Sequence, residues 1–163
     1  MSELLEKILS KDNMNTAYKR VCSNKGAGGV DGVSVEELGD YIKENWDSIK
    51  NQIRSREYKP QPVRRVEIPK PNGGMRKLGI PTVMDRVIQQ GIVQVISPMC
   101  EPLFSEWSYG FRPNRSCEMA IRQLLVYVNE GYEWIVDIDL EKFFDNVPPV
   151  SYTHLRAHET SLH

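Results

Sequence analysis

Val136–Asp145 reads VDIDLEKFFD, and the apolar run Trp134–Ile135–Val136 leads into it. The pattern predicts a strand at 132–139 that ends in a carboxylate, followed by an aromatic pair and a second carboxylate. A strand sends alternate side chains to one face, so Asp137 and Asp139 are expected to point the same way at its mouth. A carboxylate held at a strand end is a natural magnesium ligand. Two-metal phosphoryl transfer needs such ligands, because it clamps the attacking and leaving oxygens between cations roughly 3.5–4 Å apart. The plainer alternative is an acidic strand-to-helix turn with Asp145 solvated or capping.

Working outward, the chain of 163 residues is long enough for one ordinary core. An apolar fraction of 40% and a charged fraction of 26% suit a soluble globular protein. No apolar run reaches membrane-spanning length, and MSELLEKILSKDN lacks a signal-peptide pattern, so a cytoplasmic protein without membrane association is expected. Cys22, Cys100 and Cys117 have no paired spacing and read as reduced thiols. The net charge of −1 hides an uneven distribution. Residues 54–77 hold eight basic groups against Glu57 and Glu67, while 78–163 hold six basic and eleven acidic groups. A basic middle and an acidic end suit an enzyme that grips a polyanion with one element and metals with another. A solvated charged hairpin is the alternative.

Residues 3–10 and 13–23 read as helices, with Asp12 as N-cap of the second and Gly26 past its end. NKGAGGVDG (24–32) is a glycine-rich loop. It lacks P-loop or dinucleotide spacing and reads first as a turn, although its amides and Lys25 could approach a phosphate. Ser34 and Glu37 form a capping box for a helix near 35–44, and a further helix is expected over 45–55. Strands at 63–69 and 75–80 flank the turn signal PNGG, making a basic β-hairpin. Thr82 and Asp85 open a strongly periodic helix from Val83 to Met99. A loop at 101–116 precedes a helix near 116–130, which Ser116 caps.

Two of these segments carry candidate binding chemistry. In IPKPNGGMRKLGIP (68–81), Lys70 enters the turn and Arg76 leaves it, so both could reach a bound triphosphate. Arg76 offers bidentate contacts and Lys70 a movable point charge. Arg64, Arg65 and Lys77 add positive charge for a nucleic-acid backbone. In SYGFRPNRS (108–116), Tyr109 and Phe111 alternate with Arg112 and Arg115, a pattern suited to stacking on bases beside phosphate contacts. Each segment taken alone is also compatible with an ordinary surface hairpin or a loop tucked into the core.

Taken in order, the segments resemble bacterial group II intron reverse transcriptases from about Met14 to Val147. NKGAGGVDG looks like that family's N-terminal extension block, IPKPNGGMRKLGIPTVMDRVIQQ like its fingers block, YGFRPNRSCEMAI like the block that follows, and VDIDLEKFFDNV like its first catalytic palm motif. Retron and diversity-generating enzymes share the palm motif, but the N-terminal block and fingers text point to the intron type. The resemblance implies an α/β (α+β) fold: right-hand polymerase fingers with a helical N-terminus and β-hairpin, then the start of an antiparallel-sheet palm. Fingers would occupy 1–100 and a fingers-to-palm segment 101–148. It implies RNA-directed DNA polymerase activity with Mg2+, acting on dNTPs, a DNA primer and intron or other template RNA, with a maturase role in splicing. Asp139 matches the first catalytic, metal-binding aspartate, six before Asp145, and the Leu140 carbonyl would complete the ligation. Asp137 is the less favoured ligand. Phe144 matches the aromatic that gates the sugar 2′ position, and Lys70 and Arg76 match the triphosphate-holding residues.

Two departures stand out. The family's Tyr-x-Asp-Asp turn is not in this sequence, so the chain by itself is expected not to polymerise. After Val147 the text changes to PPVSYTHLRAHETSLH, where His154, His158 and Glu159 mimic a helical metal pair. This tail, 149–163, resembles translated adapter sequence and is expected to be non-native; a short native tail is the other reading. A splicing maturase without polymerase activity and a functionless remnant are the competing functional readings.

Overall fold

The computed structural model describes residues 2–71 and 73–140. Phe144, Asp145 and the 149–163 tail therefore lie outside the described residues. The backbone divides between Ser108 and Tyr109 into two compact units, each described by itself.

The first unit is built on four helices and one hairpin: α1 (Glu3–Ile8), α2 (Lys11–Asn24), α3 (Leu38–Ser55), β1 (Arg64–Pro69), β2 (Met75–Ile80) and α4 (Val83–Cys100). A short 3-10 turn, Glu101–Leu103, follows α4. The N-cap of α2 is Ser10, whose hydroxyl accepts from the Asn13 amide at 3.4 Å, and not Asp12. Asp12 instead lies in the first turn, where a carboxylate favours the helix dipole. The capping box forms as expected: the Ser34 amide donates to Glu37 at 2.9 Å and the Glu37 amide to the Ser34 hydroxyl at 3.3 Å. Helix α3 runs unbroken through the join expected near residue 45, because no breaker interrupts its period. It ends where Arg56 turns left-handed at φ 64°, with the Glu57 amide donating to the Gln52 carbonyl at 2.8 Å.

The core sits where α2 and α3 meet α4. Ala17, Leu38 and Val83 are fully sealed, and Val87 nearly so. Gly91 lets α2 cross α4 closely: a Cβ there would stand 2.8 Å from Met14 Sδ. Asn13 fixes the crossing, donating to the Gly91 carbonyl at 2.9 Å and accepting from Gln94 at 2.8 Å.

The second unit contains α5 (Cys117–Asn129), capped by Ser116, whose hydroxyl accepts from the Met119 amide at 3.3 Å. The expected strand at 132–139 is not formed among the described residues: their sheet is β1 and β2, and 132–140 joins no strand ladder. A strand is defined by its ladder, and the described part of this unit offers no second strand to complete one. Among the described residues the result is a mix of helices with one two-stranded antiparallel sheet.

Candidate functional site

The hairpin register decides which basic side chains can act together. Arg64 faces Ile80, Val66 faces Leu78 and Ile68 faces Arg76 on one side. Arg65 faces Gly79 and Glu67 faces Lys77 on the other. Directly opposed residues share a face, so Arg64 and Arg76 lie on one surface and Arg65 and Lys77 on the opposite one. The four do not form a single cationic track. Arg76 stands next to the turn, where the Lys70 amide donates to the Gly74 carbonyl at 3.0 Å and the Gly73 amide to the Lys70 carbonyl at 3.1 Å. Gly73 and Gly74 both take φ +84°, which L side chains rarely adopt. The turn thus carries Lys70 beside Arg76, both exposed and neither in an ion pair among the described residues.

The hairpin is rooted by a junction that sequence reading located only as a helix start. Asp85 is 3% exposed. Its carboxylate accepts from the Tyr58 hydroxyl at 2.6 Å, the Thr82 hydroxyl at 2.7 Å and the Gln61 amide at 3.1 Å. The Asp85 amide in turn donates to Thr82 Oγ1 at 3.1 Å, capping α4. The strap 57–61 covers this carboxylate and feeds directly into β1. Burial, then the hydrogen bond to Asp85, push the Tyr58 phenol well above its ordinary value near 10.0. The helical period gives no sign of this, because the strap groups that meet Asp85, Tyr58 and Gln61, lie 27 and 24 residues away in sequence.

The glycine loop has a packing role. A Cβ on Gly29 would lie 2.6 Å from Thr82 Cα, and one on Gly28 would lie 2.7 Å from the Val33 carbonyl oxygen. The neighbouring Arg86 donates to the Ala27 carbonyl at 2.7 Å. The loop therefore packs against the start of α4. Lys25 ends α2 at φ 53° with its side chain exposed.

In the second unit Arg115 lies over the Tyr109 ring, 5.6 Å from its centroid, so one expected base-stacking aromatic is covered from within its own loop. Arg112 is half-buried, and its carbonyl accepts from the Arg115 amide at 3.4 Å. Phe111 is fully exposed on a left-handed backbone, φ 56°. Asp137, Asp139 and Leu140 are exposed. Among the described residues no three His, Cys, Asp or Glu side chains gather closely enough to hold a metal together. The donors available, two carboxylates and a backbone carbonyl, have the all-oxygen chemistry that Mg2+ takes, though fewer than its six positions. Tyr127 and Tyr132 meet edge to face at 5.9 Å and turn the 132–136 segment back against α5. A groove of about 440 Å³ lies there.

The family profile described as reverse transcriptase (RNA-dependent DNA polymerase) matches residues 68–160, from the end of β1 onward. The chain belongs to the reverse transcriptase family. Its relatives place it in the group II intron branch. It is 35% identical over 151 residues to the group II intron-encoded protein LtrA of Lactococcus lactis, covering 92% of this chain and 25% of that protein. It is 36% identical over 153 residues to the protein YkfC of Escherichia coli, covering 90% of this chain and 40% of YkfC. It is 30% identical over 146 residues to the putative COX1/OXI3 intron 1 protein of Saccharomyces cerevisiae, covering 90% of this chain and 17% of that protein. The reverse transcriptase chain described here thus spans from under a fifth to two-fifths of these relatives. No helix among its described residues is long and apolar enough to cross a membrane.

Proposed function

We propose that this chain is the fingers and first palm segment of a group II intron reverse transcriptase that extends a DNA primer with dNTPs on intron or other template RNA. The observation that carries the reading is the tight turn that sets Lys70 beside Arg76 within the family-matched region. Lys70 and Arg76 hold the incoming triphosphate, Arg76 by paired guanidinium contacts and Lys70 as a point charge. Arg64 shares the Arg76 face and extends it along the template or primer backbone, and Arg65 and Lys77 serve the other face. Lys25, Arg112 and Arg115 add phosphate contacts outside the hairpin. Phe144 gates the sugar.

Asp139 and the Leu140 carbonyl would hold Mg2+, with Asp137 as the less favoured ligand. Bound there, the ion offsets charge on the phosphates and lowers the pKa of the primer hydroxyl. The second carboxylate pair that this chemistry needs is not in the sequence, so the 163-residue chain alone is expected to show no primer extension.

The test joins this region to the remainder of an intron reverse transcriptase and measures RNA-templated dNTP incorporation. Asp139→Ala should abolish incorporation while leaving RNA binding intact, and Arg76→Ala should raise KM for dNTPs more than it lowers kcat. Unchanged incorporation in Asp139→Ala would refute the catalytic assignment. Tight intron-RNA binding with no incorporation by the unmutated joined protein would favour the splicing reading.

A further inference from the structure

Both connections of the hairpin meet at one carboxylate. The first leg, residues 57–63, enters β1; the second, Pro81 and Thr82, leads from β2 into α4. Asp85 Oδ1 accepts from the Tyr58 hydroxyl of the first leg at 2.6 Å. Asp85 Oδ2 accepts from the Gln61 amide of the first leg at 3.1 Å and from the Thr82 hydroxyl of the second at 2.7 Å. A single oxygen thus joins the two legs. The carboxylate is fixed to the core, because it stands in the first turn of α4 among the sealed residues Val83, Met84 and Val87.

Little else sets the tilt of the hairpin. Its strands pack mainly on each other, and of their residues only Val66 and Ile80 are half-buried, the rest being exposed. Pro60, Pro62 and Pro81 stiffen the legs, because each ring locks its own φ. Stiff legs pass the orientation of the root on to the turn. Six residues of strand make a lever roughly 20 Å long. A tilt of about 10° at its root would carry the turn through about 3.5 Å. That exceeds the window between a formed and a lost hydrogen bond. A bidentate guanidinium is the more sensitive group, since its two contacts need a fixed plane, whereas a lysine ammonium on its flexible stem can follow a phosphate.

We propose that Asp85 is a positioning residue for triphosphate binding: by clamping both legs it fixes the tilt at which the hairpin presents Arg76 and, less strictly, Lys70. The proposal rests on the reading of Lys70 and Arg76 as the pair that holds the triphosphate. Asp85 touches no nucleotide and acts only through the hairpin.

The experiment uses the whole chain and inorganic tripolyphosphate, titrated by calorimetry at low salt below the melting temperature of every variant. Asp85→Ala should weaken binding by about tenfold. Tyr58→Phe, which cuts one tie of the first leg and keeps the ring, should weaken it by about threefold and decides the matter if Asp85→Ala does not fold. Val21→Ala opens a cavity in the core and leaves the clamp intact, so it should bind as the unmutated chain does. In the Arg76→Ala chain, Asp85→Ala should have an effect of less than about twofold, because the group most sensitive to tilt is already gone. Tilt itself is read as the distance between nitroxides at Met75→Cys and Gln89→Cys, both exposed positions, in a chain also carrying Cys22→Ser, Cys100→Ser and Cys117→Ser. Breaking the clamp should widen that distance distribution by several ångströms, on the order of the lever estimate. An unchanged distribution, or equal weakening by Val21→Ala, would overturn the proposal while Arg76→Ala still weakens binding and the triphosphate reading stands. Failure of the unmutated chain to bind tripolyphosphate, or equal binding by Arg76→Ala, would overturn the triphosphate reading and the positioning role with it.

Discussion

The two units of this chain carry equally strong apolar patterns and treat them oppositely. In the first, the stripe of α4 closes against α2 and α3, and Leu38 and Val83 are sealed from solvent. In the second, no described residue is buried, and Trp134 and Val136 stand 92% and 81% exposed. Amphipathicity makes a helix or strand worth forming, but only a partner face turns it into a core. The first unit contains its partners within a hundred residues. The described part of the second does not.

Four substitutions probe that contrast. The largest effect is expected at the buried junction. Asp85→Ala leaves the Tyr58 hydroxyl, Thr82 hydroxyl and Gln61 amide without their acceptor and should cost roughly 2–4 kcal/mol in urea unfolding. A loss below about 1 kcal/mol would mean that the strap is not anchored through this carboxylate. Next comes Gly29→Ala, whose methyl would press on the Thr82 backbone; a loss of about 1–3 kcal/mol is expected. A neutral result would show that the glycine loop is free to move away from α4.

The third probe is pH. The folded state holds the Tyr58 proton more tightly than the unfolded chain does, since burial and the bond to Asp85 raise its pKa. The stabilisation it gives is therefore complete below pH 10 and fades as the pH rises past that value towards the folded pKa. Wild-type protein should lose stability along an alkaline limb that Tyr58→Phe makes shallower; identical limbs would remove Tyr58 as its cause. The smallest effect belongs to the second unit. Trp134→Ser should change stability by no more than about 0.5 kcal/mol, against several for a sealed apolar residue. A large loss would show that this segment is already packed.

The same contrast explains what could be read from the sequence. Local devices were legible because they depend on near neighbours. The Ser34–Glu37 box, the Thr82 and Ser116 caps, the hairpin around PNGG and the span of α4 all follow from residues a few positions apart. Features set by distant partners were not. Asp85 is buried by a strap 24 residues away, and Gly29 is required by a helix start more than 50 residues on. The strand expected from Trp134 to Asp139 shows the converse, a sound local pattern with no ladder among the described residues. For the candidate site, residue types and order were legible, but the hairpin faces became evident only from the register, which separates Arg64 and Arg76 from Arg65 and Lys77.

The rooted hairpin also sets a hierarchy of times. Its base is held where the Gln61 amide meets Asp85 and where Gly79 lies against Val63, a Cβ there coming 2.8 Å from a valine methyl. Its far end is an exposed two-stranded ribbon, a form marginally stable by itself. Amide protons near Lys70 and Met75 should therefore exchange through frequent local opening, while those around Asp85 exchange only when the whole unit unfolds. The cations proposed to meet the nucleotide thus sit on the fast-sampling tip of a slow-opening base. The tip can search for a phosphate many times within one lifetime of its anchor.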